Sequence, residues 1–315
     1  MPDASSTADQ PANLGSLAER VPAWCGLALT FAPLSGGITN RNYRVEAGGN
    51  TYVLRLAGAS TELLGIDRRA EHAAALAAAA IDAGPAVVDF IEPEGWLVTQ
   101  FILGEPIVPA EMRRPETIQQ AATLLRRVHD LPPIPGTFSP FQVVTDYRRL
   151  ADARRATGYP VDVDWIFDRA HAIEVVFARD PLPPCPCHND LLNENFLRET
   201  ASGELRLLDW EYAGMGDRYF DLGNLAAQHD FGPEQDQLLL RSYFGDAAPS
   251  HLARLNLMKL MSDFREAMWG ILQSAISSLE FDFRGYAARY FARISAGLRS
   301  QPLDEWLAIV RRPSA

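Results

Sequence analysis

The stretch between residues 187 and 209 holds the side chains best suited to chemistry. His188, Asp190 and Asn195 form the pattern His-x-Asp, then four residues, then Asn, and Asp209 follows an apolar run at residues 205–208. Phosphoryl transfer needs an acid that orients the attacking hydroxyl and oxygen ligands that hold magnesium, because little covalent chemistry falls to the protein. The spacing therefore predicts Asp190 as the catalytic base, Asn195 and Asp209 as magnesium ligands, and His188 as a catalytic-loop residue that braces the loop.

The order of these residues favours a function, because each of them alone would be an ordinary turn former or helix cap. The surrounding sequence resembles the aminoglycoside phosphotransferase and choline/ethanolamine kinase group of protein-kinase-like small-molecule kinases. Residues 208–212 (Leu-Asp-Trp-Glu-Tyr) and 218–224 (Arg-Tyr-Phe-Asp-Leu-Gly-Asn) are similar to the choline/ethanolamine kinase version, and the likeness extends over residues 30 to 300. The resemblance implies ATP and Mg²⁺ as cofactors, the same base and metal ligands, and a role for Asp221 in anchoring the loop from behind.

A glycine-containing turn near residues 35–43 is the candidate nucleotide loop. Gly36 and Gly37 would let backbone N–H groups approach phosphate, and Thr39 and Asn40 add hydrogen-bond donors. On its own, a Gly-Gly turn is an ordinary hairpin connection. In this setting it resembles the loop that covers the nucleotide in choline-kinase-like enzymes.

Arg55 lies in an apolar strand pattern at residues 52–56. Protein kinases have Lys at this point, and the choline kinase group commonly has Arg. The resemblance implies that Arg55 binds the α- and β-phosphates and pairs with Glu71 on the following helix. The alternative for Glu71 is a solvated helix position. The resemblance also implies that the backbone around Gln100 to Ile102 binds the adenine edge.

A predicted helix at residues 263–278 carries the acceptor-side candidates. Glu266, Trp269 and Gln273 recur at spacings of three and four, so they share one face. A Trp at helical spacing is usually core packing. Here, however, the sequence from Trp269 onwards resembles the C-terminal region of choline and ethanolamine kinases, in which aromatic rings surround a quaternary ammonium. Trp269 and Tyr286 fall on two of those ring positions.

Two departures from eukaryotic choline kinases bear on the acceptor. A further Trp of the family is replaced here by Glu266, and a Glu that follows the Phe-Asp motif is replaced by Gln228. We expect Glu266 to supply the anionic charge that Gln228 lacks, so that a primary amine such as ethanolamine fits as well as choline. The candidate substrate residues are Glu211, Gln228, Glu266, Trp269 and Tyr286.

The resemblance predicts an ATP-dependent kinase that phosphorylates the hydroxyl of a small cationic amino alcohol. Two alternatives stay open. A kinase of the same fold could act on an aminoglycoside, thiamine or an amino sugar, although aminoglycoside kinases would not require the aromatic region at residues 269–286. A nucleotide-binding protein without catalysis would be expected to lack one of Asp190, Asn195 or Asp209, and all three are present.

The elements that must position these residues follow an α+β order. The first third has strand patterns and one helix pattern, and the rest is mainly helical apart from a polar stretch at residues 186–224. Strands are predicted at 27–34, 43–47, 52–56, 86–91 and 96–101, and helices at 62–83, 115–131, 142–157, 162–179, 234–244, 248–279, 284–299 and 302–311. This order predicts a bilobal protein-kinase-like fold. We expect a disordered start at 1–18, an N-terminal nucleotide-binding lobe with an antiparallel sheet and a helix at 19–102, and a larger, mostly helical catalytic and substrate-binding lobe at 103–315.

Composition excludes several other classes of protein. A net charge of -11 disfavours a nucleic-acid partner, and three cysteines are too few for a disulfide framework and suit the cytoplasm. Residues 1–10 lack the basic and apolar parts of a signal peptide, and no apolar run is long enough to span a bilayer. We expect a small-molecule partner and no membrane insertion, with the oligomeric state open between monomer and homodimer.

The run Cys185-Pro186-Cys187-His188 also invites interpretation as a metal site. Structural zinc usually needs four ligands in two pairs, and the sequence has no second Cys pair. The run is therefore predicted to be a Pro-rich entry to the catalytic loop. The remaining histidines, among them His129, are predicted to be structural or exposed.

Overall fold

The computed structural model describes residues 19–34, 40–58, 61–300 and 302–311. The segment predicted to be disordered, 1–18, lies outside the described residues, as do Gly36, Gly37 and Thr39 of the candidate nucleotide loop. The described residues form two compact units, one made of residues up to 58 with 86–102, the other of residues 61–85 with everything from 103 onwards. The segment 61–85, which the sequence assigned to the N-terminal lobe, thus packs within the second unit.

The first unit is built on a five-stranded antiparallel sheet in the order β1-β2-β3-β5-β4. Its strands are β1 (Leu29–Leu34), β2 (Arg41–Ala47), β3 (Asn50–Leu56), β4 (Val87–Ile91) and β5 (Trp96–Gln100). The turn between β2 and β3 consists of Gly48 and Gly49, both with positive φ, which a two-residue hairpin of this twist requires. The buried cluster of this unit includes Trp24, Val45, Leu54 and Val98.

The second unit is mostly helical. Its helices are α1 (Arg68–Ala79), α2 (Pro109–Met112), α3 (Pro115–His129), α4 (Pro140–Ala153), α5 (Val163–Arg179), α6 (Arg218–Gln228), α7 (Pro233–Phe244), α8 (Pro249–Ile276), α9 (Phe283–Ser300) and α10 (Leu303–Val310). Helix α8 has 28 residues and is buried along most of its middle, where α4, α6 and α9 pack against it. Among the helices described, none is both long and apolar enough to span a membrane.

The prediction of one continuous helix at 62–83 is wrong. A 3₁₀ turn, Thr61–Leu64, comes first, and α1 begins only at Arg68. Gly65 has a φ of 82°, a left-handed conformation that ends the turn. Asp67 then caps α1, because its carboxylate accepts the N–H groups of Arg69 and Ala70.

Five short strands frame the polar stretch. Strand β7 (Cys185–Cys187) pairs with β10 (Gly214–Gly216), and β6 (Gly104–Pro106), β8 (Phe196–Glu199) and β9 (Leu205–Leu207) form a second small sheet. Helix α6 was missed from the sequence, since its first turn lies inside the stretch that was predicted as an interruption between helices. It is capped by Asp217, which accepts the N–H of Tyr219 at 2.9 Å.

Candidate active site

The loop after β7 is held in shape by one buried carboxylate. The backbone N–H groups of His188 and Asn189 donate to the two oxygens of Asp221, at 2.8 and 2.7 Å. Asn189 has a φ of 66°, a conformation that Asn tolerates better than most residues. The Leu191 N–H donates to the side chain of Asn224 at 2.5 Å. The expected anchoring role of Asp221 matches this geometry.

Asp221 is fully buried, and a third donor helps to explain how its charge is stabilised. His129 Nε2 donates to Asp221 at 3.0 Å, and Tyr243 OH donates to His129 Nδ1 at 2.6 Å. A buried carboxylate is costly unless hydrogen bonds replace its hydration. The structural role predicted for His129 is therefore to hydrogen-bond the carboxylate that holds the loop.

The contacts of His188 suit the predicted bracing of the loop. It is fully buried, and burial lowers the pKa of its ring below the ordinary value. Its Nε2 donates to the carbonyl of Leu208 at 2.8 Å, while its Nδ1 accepts the N–H of Asp190 at 3.3 Å. The neutral ring therefore connects the loop to the residue that precedes Asp209.

Asp190 is held on both carboxylate oxygens. Arg265 Nη1 donates to its Oδ1 at 3.1 Å, and Asn195 Nδ2 donates to its Oδ2 at 3.2 Å and to its backbone carbonyl at 2.8 Å. Burial raises the pKa of Asp190 to about 7; Arg265 opposes the rise, and Glu266, Asp209 and Glu211 add to it. A carboxylate that takes up a proton near neutral pH suits a general base.

Asn195 and Asp209 offer oxygen ligands near this base. Asn195 directs its Nδ2 to Asp190, which leaves its amide oxygen for a cation. Asp209 follows β9 in a left-handed conformation, with φ of 59°, and its charge raises the pKa of Asp190. Amide and carboxylate oxygens are the ligands that Mg²⁺ prefers, so both residues fit the predicted metal role.

The acceptor-side candidates on α8 and α9 meet one another. Glu266 is 2% exposed; its Oε1 accepts Arg265 Nη1 at 2.5 Å and its Oε2 accepts Tyr286 OH at 2.6 Å. The Trp269 and Tyr286 rings lie 5.4 Å apart, and Trp269 Nε1 donates to Tyr212 OH at 3.2 Å. Because Arg265 also contacts Asp190, the predicted base and the predicted acceptor residues lie in one site.

Gln228 joins this cluster through Tyr290. Its amide oxygen accepts Tyr290 OH at 2.7 Å, and the Tyr290 ring lies 4.9 Å from the ring of Tyr286. The amide nitrogen of Gln228 is buried and has no hydrogen-bond partner among the described residues. The amide N–H groups of Gln228 thus belong to the cluster of side chains that includes Tyr290, Tyr286 and Glu266.

Glu211 is paired through Arg68 with Glu71. Glu211 is 6% exposed. Arg68 Nη1 lies 3.1 Å from its carboxylate and 2.7 Å from that of Glu71, so one nitrogen bridges the two residues. Glu71 is 2% exposed, so it is buried rather than solvated. Glu211 also acts on the catalytic loop, because its charge helps to raise the pKa of Asp190.

The remaining nucleotide candidates lie in the first unit. Arg55, on β3, is 9% exposed, and Asn40 is 8% exposed, with its side-chain oxygen 3.4 Å from the N–H of Gly58. The N–H groups of Gln100 and Phe101 are bonded inside the unit, to Ala86 and Thr51. The roles of Gln100 and Ile102 at the adenine edge, and the pairing of Arg55 with Glu71, stay predictions.

Three buried side chains near the loop could approach a metal ion. His129, Cys185 and Cys187 place their ligand atoms within 4.8 Å of one another, and the two sulfur atoms are 3.8 Å apart. Both ring nitrogens of His129 are already used by Tyr243 and Asp221. This competition supports the interpretation of the Cys-Pro-Cys run as a structural entry to the loop.

Arg265 was not among the residues predicted from the sequence. The signal that could have found it is its place next to Glu266 in α8, a helix that is otherwise rich in apolar residues. Arg and Glu are seldom fully buried unless they are paired. A neighbouring Arg-Glu pair in such a helix therefore indicates a site.

Comparisons with known proteins bear on the family and the fold of the chain. The family model "Phosphotransferase enzyme family" matches residues 30–255. A probable ethanolamine kinase of Arabidopsis thaliana is 26% identical over 303 residues, which cover 86% of this chain and 79% of that protein.

Two solved structures are similar over most of the chain. A choline/ethanolamine kinase family protein from Mesorhizobium loti has a TM-score of 0.80 and 31% identity, covering 94% of this chain and 98% of its own. The choline kinase LicA from Streptococcus pneumoniae has a TM-score of 0.78 and 21% identity, covering 91% and 99%. The predicted α+β, kinase-like fold is confirmed.

Proposed function

The chain belongs to the phosphotransferase enzyme family and, within it, to the choline/ethanolamine kinase family, and on that premise we propose that it transfers the γ-phosphate of ATP to the hydroxyl of a small amino alcohol of the choline or ethanolamine type. The observation that carries the proposal is the continuous set of contacts from Asp190 through Arg265 to Glu266 and Tyr286. It joins a general base to an anionic, aromatic-lined region within one unit.

Each polar residue of the loop has its own role in the proposed phosphoryl transfer. Asp190 accepts the proton of the acceptor hydroxyl as that oxygen attacks the γ-phosphorus of ATP, and the products are ADP and a phosphate monoester. His188 and Asp221 hold the loop so that the Asp190 carboxylate is aimed. Asn195 and Asp209 would hold Mg²⁺, which neutralises phosphate charge when it is bound.

The charges around the base favour a cationic acceptor. Asp190 and Glu266 are two carboxylates on one guanidinium, so their shared site has an excess of negative charge. An ammonium group near Glu266 and the rings of Trp269 and Tyr286 would balance it, through charge and cation–π attraction. Because Asp190 Oδ1 and Glu266 Oε1 both touch Arg265 Nη1, at 3.1 and 2.5 Å, the amine end and the hydroxyl end of the acceptor must be close together. A short amino alcohol meets this requirement.

An acceptor panel tests the proposal. Purified protein with Mg-ATP is assayed for ADP release with ethanolamine, choline, thiamine, an amino sugar and an aminoglycoside, and Asp190→Asn is the matched inactive control. We expect turnover with ethanolamine or choline above the level without acceptor. Turnover with the aminoglycoside alone would overturn the assignment of the acceptor.

We also keep a cytoplasmic location as part of the proposal. All three cysteines, Cys25, Cys185 and Cys187, are free thiols, and a reducing compartment preserves such thiols. A small-molecule partner follows from the proposed reaction.

A further inference from the structure

Arg265 occupies the centre of the site, between its two functional ends. It is 2% exposed, and a single nitrogen, Nη1, contacts Asp190 at 3.1 Å and Glu266 at 2.5 Å. Its guanidinium carbon lies 4.3 Å from the centroid of the Tyr212 ring. Stacking on one side and two carboxylates at one edge restrict the guanidinium plane.

The burial of this group is difficult to explain by stability alone. Taking a guanidinium and two carboxylates out of water is costly, and apolar residues of similar size often stabilise a core as well or better. Two further nitrogens of Arg265, Nε and Nη2, are buried without a hydrogen-bond partner among the described residues. A group that is only partly satisfied, yet touches the catalytic carboxylate, is better explained by a role in the reaction.

We propose that Arg265 is a positioning residue, which holds Asp190 in the orientation for proton transfer and links it to Glu266 at the amine end of the acceptor. The inference rests on the proposed function, because it gives Asp190 and Glu266 the roles of base and amine-side carboxylate. The planar guanidinium contacts both carboxylates and so fixes the distance between their oxygens. The amine and the hydroxyl of the acceptor are then held at a fixed distance from each other. Asn195 holds the other oxygen of Asp190, at 3.2 Å, so that loss of Arg265 would free one side of the base.

The test uses three variants of the full chain: Arg265→Lys, Arg265→Met, and Arg265→Met combined with Glu266→Gln. Each is measured for kcat, for the KM of ATP and of the best acceptor from the panel, and for the free energy of unfolding in urea. For Arg265→Met we expect kcat to fall about 10- to 100-fold, with the KM of ATP changed less than about threefold. Arg265→Lys keeps the charge and should recover part of kcat.

The double variant separates positioning from charge neutralisation. Glu266→Gln removes the carboxylate that Arg265→Met leaves buried and unpaired, so that stability should partly return. If Arg265 positions Asp190, kcat stays well below that of Glu266→Gln alone although the protein is stable. If Arg265 only neutralises Glu266, the double variant recovers both stability and kcat, and the proposal is overturned. The double and Lys variants also keep the test decisive if Arg265→Met does not fold.

Arg254→Met is the matched control. Arg254 lies on the same helix, is 6% exposed, pairs with Asp180 at 2.8 Å and has its guanidinium carbon 5.0 Å from the Phe177 ring centroid. It therefore repeats the burial, ion pair and stacking of Arg265 without contacting Asp190. We expect lower stability and an unchanged kcat; an equal fall in kcat would contradict a specific role for Arg265.

Failure of the proposed function would look different. If the wild-type protein phosphorylates none of the amino alcohols, the proposed acceptor is wrong, and the variants are then compared on whichever acceptor the panel selects. If it selects none, basal ATP hydrolysis, in which water replaces the acceptor hydroxyl at Asp190, is the readout. Unaltered turnover of Arg265→Met in that assay rejects the inference by itself.

Discussion

The catalytic loop and the acceptor side both bury carboxylates, but they stabilise them differently. Asp221, behind the loop, accepts three N–H groups, two of them from the backbone. Asp263, on α8, lies 3.2 Å from Arg293 Nη2, but its buried Oδ1 has no hydrogen-bond partner among the described residues, and that nitrogen donates to the carbonyl of Ala227 at 2.6 Å. Burial raises the pKa of Asp263 to about 7; Arg293 opposes the rise and Glu266 adds to it. The buried Asp carboxylate behind the loop is thus fully hydrogen-bonded, whereas the one on the acceptor side is not.

The difference follows from what each region has to do. A loop that aims a base needs one backbone shape, and a fully hydrogen-bonded carboxylate stabilises that shape. A region that receives a cation gains from negative charge that the protein itself does not fully neutralise. Asp263 provides such charge, because its Oδ1 has no hydrogen-bond partner among the described residues. Asp190 and Glu266 add to it, because the two carboxylates share one guanidinium. Poor satisfaction on the acceptor side is therefore consistent with its proposed function.

Replacing the base itself should give the largest effect and separate activity from stability in the loop. Asp190→Asn keeps the size of the side chain but cannot accept the hydroxyl proton, so kcat should fall by about 10²- to 10⁴-fold. The free energy of unfolding should change much less than kcat, because the neutral amide avoids the burial penalty that raises the pKa of this carboxyl but keeps only one of its two acceptor oxygens. ADP release and urea unfolding measure the two quantities. Undiminished turnover would remove Asp190 from the role of base.

Removing the anchor should destabilise the loop region strongly. Asp221→Ala leaves the N–H groups of His188 and Asn189 buried without an acceptor, and we expect a loss of about 3–5 kcal/mol in the free energy of unfolding. Asp221→Asn keeps one acceptor oxygen, so its free energy of unfolding should lie between those of Asp221→Ala and the wild type. If Asp221→Ala unfolds at the same urea concentration as the wild type, the loop does not depend on this carboxylate.

The matching change on the acceptor side should have the opposite sign. The pKa of Asp263 is raised in the folded protein above its unfolded value, so the folded state binds the proton more tightly. Wild-type stability therefore falls as pH rises from about 4 through about 7 and levels off above that, where both states are ionised. Asp263→Asn lacks this penalty. We expect it to be more stable than the wild type at pH 8, on the order of 2 kcal/mol, with little difference at pH 4. Unfolding curves at both values decide, and destabilisation at pH 8 would contradict the comparison.

The same contrast explains what could be predicted from the sequence. Asp190, Asn195, Asp209 and Asp221 lie close together along the chain. The order of the first three predicts a catalytic loop with its metal ligands, and the family resemblance adds Asp221 as the anchor. Arg265 contacts Asp190 across 75 residues. No local pattern specifies that contact, because it depends on how α8 packs behind the loop.

Element boundaries show the same limit. The break in the helix predicted at 62–83 follows from Gly65 and the Asp67 cap, which local reasoning could have found. The placement of residues 61–85 in the second unit could not be predicted in this way, because it depends on tertiary packing. The bridge from Arg68 to both Glu71 and Glu211 is a consequence of that packing.

The smallest expected effect concerns the choice of acceptor. Glu266→Gln keeps an oxygen for Tyr286 OH but removes the charge beside Arg265, so the KM of a cationic acceptor should rise by about 10-fold. The rise should be larger for ethanolamine, whose ammonium can donate hydrogen bonds to a carboxylate, than for choline, whose ammonium attracts mainly aromatic rings. Glu174→Gln, which removes an exposed charge paired with His171 on α5, controls for net charge. An unchanged preference between the two alcohols would reject a charge role for Glu266 and leave Trp269 and Tyr286 as the main selectors.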